Sequence, residues 1–78
     1  MSELKIKIDT LDDIKQLIKI TTSYEMDIDV VHNKYVIDAK SVMGILSLAL
    51  DTPLTIRPIS DNQKEIDRLF DELKLWTV

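Results

Sequence analysis

The chain has 78 residues, 45% apolar and 31% charged, with no cysteine and a formal net charge of −4. These values describe a single globular domain spanning residues 1–78, close to the size at which one core sustains a fold. They exclude a disulfide framework and thiolate metal sites, and Lys and Arg are nowhere clustered as counterion-release binding to nucleic acid requires.

Met1-Ser2-Glu3 leads directly into alternating sequence, with neither a basic start nor a long apolar run. No signal peptide or membrane span is expected, and the expected setting is the cytoplasm. Leu4, Ile6 and Ile8 alternate with Lys5, Lys7 and Asp9, the period of a strand with one wet face. Leu11, Ile14, Leu17, Ile18 and Thr21 then recur at helical steps. Thr10 suits the N-cap of that helix, with Asp12 and Asp13 in its first turn. Met26, Ile28 and Val30 alternate with Asp27 and Asp29 as a second strand, most simply with a solvated acidic face. His32-Asn33-Lys34 reads as a tight turn, although Lys34 stands where a glycine is expected, and Tyr35-Val36-Ile37 returns as a third strand.

Ser41 opens a second, strongly apolar helix extending to about Leu50, with the chain's one glycine, Gly44, inside it. Such a helix is either deeply buried or carries an exposed sticky face. If Ile45, Leu48 and Ala49 fill its inward side, Val42, Met43 and Leu46 point outward. Asp51-Thr52-Pro53 ends the helix, and Leu54-Thr55-Ile56-Arg57 is a fourth strand, expected to end or bulge near Arg57 because Pro58 lacks a ladder donor. Ser60-Asp61-Asn62-Gln63 matches a capping box. Ile66, Leu69, Phe70 and Leu73 form the buried stripe of the last helix, and Trp76 is expected to staple that helix to the sheet. The order β-α-β-β-α-β-α, with one-sided strands, predicts an α+β fold: an antiparallel sheet with helices on one face.

Three blocks carry a family resemblance. Ser23-Tyr24-Glu25-Met26-Asp27-Ile28 resembles the entry to the second strand of HPr, the phosphocarrier of the bacterial sugar phosphotransferase system. Asn33 to Ser41 is similar to that family's hairpin. Lys40-Ser41-Val42-Met43-Gly44-Ile45-Leu46-Ser47-Leu48 resembles its regulatory-serine segment almost residue for residue. The resemblance implies an open-faced sandwich, with a four-stranded antiparallel sheet of order 1-4-2-3 and three helices on one face. It also implies phosphorylation of Ser41 by HPr kinase/phosphorylase. Lys40, Val42, Met43 and Leu46 become a docking patch for protein partners, among them that kinase, enzyme I or a transcriptional regulator of carbon catabolite repression.

The family's other signature, Gly-Leu-His-Ala-Arg-Pro with the phosphoaccepting histidine, has no counterpart. The corresponding region offers Asp9, Thr10, Asp12 and Asp13. At an effective dielectric of about 20 and a separation of about 4 Å, each carboxylate would oppose a phosphoryl group by about 4 kcal/mol before screening. The single histidine, His32, reads as a turn-flanking residue, and one histidine without partners makes no metal site. No catalytic residue, metal or cofactor is expected. The reading is a non-catalytic regulatory or protein-binding module. Its alternatives are a phosphotransferase component with an unconventional acceptor, and a structural domain in which Ser41 only caps a helix. The partner's identity and the oligomeric state are left open.

Overall fold

A computed structural model describes residues 2–47 and 53–78. The elements are β1 (Leu4–Lys7), α1 (Leu11–Thr22), β2 (Asp27–His32), β3 (Tyr35–Asp38), α2 (Val42–Leu46), β4 (Pro53–Ile59) and α3 (Gln63–Leu73), followed by a 3-10 turn over Lys74–Trp76. The strands form one antiparallel sheet of order β1-β4-β2-β3. Element order and strand order are those expected.

Register turns local alternation into one continuous wall. Leu4, Ile56, Val30 and Ile37 stand side by side across the strands, as do Ile6 and Leu54, and Pro58 and Ile28. These side chains share the face that the helices cover, where Ile6, Ile28, Val30 and Ile56 are fully buried. The opposite face carries Lys5, Asp27, Asp29, Arg57 and Asp38, none of them buried. An Arg57–Glu3 ion pair of 2.7 Å lies at its surface. α1 contributes Ile14, Leu17 and Thr21 to the core, and α3 contributes Ile66, Leu69 and Leu73. Leu11, expected to begin the apolar stripe of α1, is exposed at the first helical position instead.

The expectation of an end or bulge near Arg57 is wrong: β4 runs through buried Pro58 to Ile59. The ladder explains why. The Ala39 amide donates to Ile28 O, so both backbone groups of Ile28 face β3, and Ile28 and Pro58 form a pair without mutual hydrogen bonds. The missing N–H of Pro58 therefore points to the β1 side. β1 begins at Leu4, opposite Ile56, so no ladder acceptor is left waiting there.

Helix caps follow the sequence at one end of the chain and depart from it at the other. Thr10 caps α1 in a full capping box with Asp13. The expected Ser60/Gln63 box does not form. Asn62 is the N-cap of α3 and its side chain accepts from the Lys64 and Glu65 amides, while Ser60 Oγ accepts from the Asn62 amide. Asn is as good a cap as Ser, and its longer side chain takes two donors at once. The β2–β3 hairpin turns through Asn33 and Lys34, with His32 opposite Tyr35. Only Asn33 takes a left-handed backbone (φ 54°), so Lys34 needs no glycine-like freedom.

At the C-terminus, Trp76 packs against the core cluster beside the sheet, as expected. Thr77 bridges Ile6 and the Val78 amide donates to Lys5 O, which covers the outer edge of β1.

Candidate functional site

Ser41 sits where β3 hands over to α2, and three tethers hold that junction. First, Asp38 forms a local turn: its carbonyl accepts from the Ser41 amide and its Oδ1 from the Lys40 amide, both at 2.9 Å. Second, fully buried Ala39 donates to Ile28 O at 2.8 Å and accepts from Thr21 Oγ1 on α1 at 3.0 Å. Third, Lys40 Nζ donates to Tyr24 O at 2.6 Å. The Tyr24 ring is itself pinned: its hydroxyl donates to Glu72 of α3, and Arg68 stacks over its face at 4.9 Å. Burial, and then the bond to Glu72, push the Tyr24 phenol above its usual pKa, which keeps that hydroxyl a donor.

Thr21 ties α1 to the segment that carries Ser41, so Thr21→Val should cost about 1–3 kcal/mol by leaving the Ala39 carbonyl buried without a donor. Urea unfolding checks the magnitude. Unchanged stability would mean that water or a backbone shift satisfies the carbonyl.

The Ser41 hydroxyl accepts from the Gly44 amide at 3.2 Å and its carbonyl from the Ile45 amide at 3.0 Å, the geometry of an N-cap. α2 then turns Ile45 inward, 2% exposed, and leaves Val42, Met43 and Leu46 at 50%, 80% and 47%. The outward set thus forms one apolar patch beside the serine. Gly44 lies directly against Ile37 of β3, so α2 rides close over the sheet. Leu48 and Ala49, expected on the inward side, and the end of the helix near Leu50 lie outside the described residues.

The remaining sequence candidates are not brought to this site. Asp9, Thr10 and Asp12 are exposed at the start of α1. There the Asp9 and Thr10 amides donate to Asp13 Oδ2 and the Asp13 amide to Thr10 Oγ1, so the chain's own groups occupy three of the amides at this helix start. His32 ends β2, two strands along the sheet from β1. Among the described residues no group of three His, Cys, Asp or Glu could hold a metal ion, and no helix is long and apolar enough to cross a membrane.

The sequence indicated the Ser41 cap and the outward direction of Val42, Met43 and Leu46 but not the tethers. Thr21 appeared only as a member of an apolar stripe and Lys40 only as part of the docking patch that the resemblance implies. A polar residue at a stripe position was the available signal.

Solved structures of known proteins superimpose on this arrangement over almost its full length. HPr-C-His from Thermoanaerobacter tengcongensis matches with a TM-score of 0.74 at 21% identity, covering 95% of this chain and 92% of that one. The chain has the HPr fold. The phosphocarrier protein HPr from Bacillus anthracis matches with a TM-score of 0.68 at 18% identity, over 92% of this chain and 95% of that one. Crh, the Bacillus subtilis catabolite repression protein, matches with a TM-score of 0.67 at 20% identity, over 96% and 88%; its structure is a domain-swapped, intertwined dimer. No protein-family model and no curated protein matches the chain. Within the HPr fold, the Ser41 junction is a hydrogen-bonded shelf that presents exposed apolar side chains.

Proposed function

We propose that this chain is a non-catalytic, protein-binding module that uses the HPr fold as a regulated docking surface. The observation that carries the reading is the exposure of Val42, Met43 and Leu46 beside Ser41. Three adjacent apolar side chains on a short helix that already buries Ile45 are not needed for the core, and such a patch suits a protein partner. Methionine, unbranched and polarisable, adapts to more than one partner surface. Lys40 lies at the rim; with one N–H on Tyr24 O, its ammonium has further donors for a partner's carboxylates or carbonyls. The partner would be a kinase of the HPr kinase/phosphorylase type or a transcriptional regulator.

Ser41 is the proposed switch. A phosphoryl group on its Oγ adds a charge of about −1.5 to −2 next to the patch, while the Gly44 amide remains a donor to it. Docking would change without unfolding α2. Histidine-based phosphotransfer has no support in the residues at the start of α1, where Asp12 and Asp13 stand and Asp13 already takes the Asp9 and Thr10 amides.

Intact mass after incubation with HPr kinase/phosphorylase and ATP tests the switch. The native chain should gain one phosphoryl group and Ser41→Ala none. No gain in either would reduce Ser41 to a helix cap and remove that kinase from the list of partners. A gain in Ser41→Ala as well would move the modification to another residue.

A further inference from the structure

The two edges of the sheet are finished differently. Thr77 and Val78 cover β1 on its outer side, whereas β3, the other edge strand, has no strand beyond it among the described residues. Its exposed groups are set by the same ladder that placed Pro58. Ala39 donates to Ile28 O, so Ile37 and Tyr35, two and four residues earlier, also bond inward, to Val30 and His32. Val36 therefore turns both its backbone groups outward, and Asp38 its N–H, while the Asp38 carbonyl is already taken by the Ser41 amide. Val36 is 58% exposed and Tyr35 66%. An edge with free N–H and C=O groups and apolar side chains is a template for another strand.

We infer that the strand it takes is β3 of a second copy, paired antiparallel about a two-fold axis at Val36. Two observations select this occupant and this register. The first is hydrogen-bond phase: an antiparallel pair centred on Val36 sets its outward N–H and C=O against those of the second copy, forming a two-bond ring. The second is charge. Lys34 and Asp38 lie two residues either side of Val36, so the same register brings Lys34 of each copy opposite Asp38 of the other, twice per dimer. Both residues are exposed, and Asp38 keeps one carboxylate oxygen free of the bond to Lys40 N. On the helix-covered face the register sets Tyr35 against Ile37 of the second copy, an aromatic–β-branched pair. An isologous contact of this kind closes at two copies and leaves no growing edge. With only four residues per strand, the contact is small, so association is weak and concentration-dependent. The inference does not rest on the regulatory reading of Ser41 and stands or falls without it.

Sedimentation equilibrium over a wide concentration series, together with amide hydrogen exchange, tests it. The native chain should pass from monomer to dimer as concentration rises. The Val36 amide should become protected in step with that transition, whereas the Ile37 amide, bonded to Val30 at all concentrations, should not change. Lys34→Glu should weaken dimerisation about tenfold or more, because it sets two like charges in place of two attractive pairs. Asp38→Asn, which keeps the side-chain oxygen that accepts from the Lys40 amide but removes the charge, should weaken dimerisation by a smaller factor. Lys34 is an exposed turn residue, so its variant tests pairing without threatening the fold. A native chain that stays monomeric throughout the series would overturn the inference. So would a dimer whose Val36 amide remains unprotected, or one indifferent to Lys34→Glu.

Discussion

Ile56→Ala should destabilise the domain by about 2–5 kcal/mol, the range for emptying a buried isoleucine site. Ile56 has no exposure and stands on the core face in β4, between Leu4 of β1 and Val30 of β2. Strands on both sides keep the backbone from collapsing into the vacated space, so the transfer loss and the cavity add. A chain of 78 residues has a net stability of only about 4–12 kcal/mol, so the variant should lose a large share of it. Its thermal midpoint should fall by at least about 8 °C, at about 4–8 °C per kcal/mol for domains of this size. Urea unfolding should show a lower midpoint with an unchanged slope, and Ile56→Val should lose only about 0.5–1.5 kcal/mol. An Ile56→Ala loss below about 1 kcal/mol would mean that the helices over β4 settle into the gap, contrary to a well-packed core.

Gly44→Ala should also destabilise, although Ala is the better helix former by about 1 kcal/mol. A Cβ built at Gly44 overlaps Ile37 Cγ2 and lies 3.2 Å from Ser41 Oγ. Ile37 is β-branched and stiff at χ1, so the overlapping methyl cannot swing aside as the end of a lysine would. Lifting α2 relieves the clash only by loosening the Ser41 cap. The overpacking cost, typically about 1–3 kcal/mol, therefore wins. Combining Gly44→Ala with Ile37→Ala should remove the penalty, because no Cγ2 remains to overlap and the helix preference is recovered. A double-mutant cycle on urea midpoints measures this coupling. A stabilised single variant would show that α2 stands farther off β3 than Gly44 allows.

Gly44 also illustrates how far residue patterns reach. Its presence in an apolar helix was visible in the sequence, as was its neighbour Ser41 as a cap, because a hydroxyl ahead of an apolar run is a local signal. That Val42, Met43 and Leu46 face outward depended on which side of so apolar a helix meets the sheet. The contact of Gly44 with Ile37 and the burial of Ile45 decide it. The tethers of the Ser41 junction were not legible, since Thr21 and Tyr24 reach Ala39 and Lys40 across 18 and 16 residues of chain, and no spacing within either segment announces the other. The cap of α3 was misread for a smaller reason: Ser60 and Asn62 are both good caps, and the turn before the helix chose between them.

By itself the sequence determined the kinds of elements, their order and the one-sided sheet, because strand and helix periods and caps are written in neighbours a few residues apart. Which strands lie side by side was implied only by the family resemblance and not by residue patterns, and the tertiary structure alone decided the register and therefore where backbone groups are left over. Pro58 is tolerated because β1 ends before reaching it, one sheet edge is closed by Thr77 and Val78, and the other is left open at Val36. Hydrogen-bond phase passes from strand to strand through the register, so these outcomes belong to pairs of segments distant in the chain and are carried by neither segment alone.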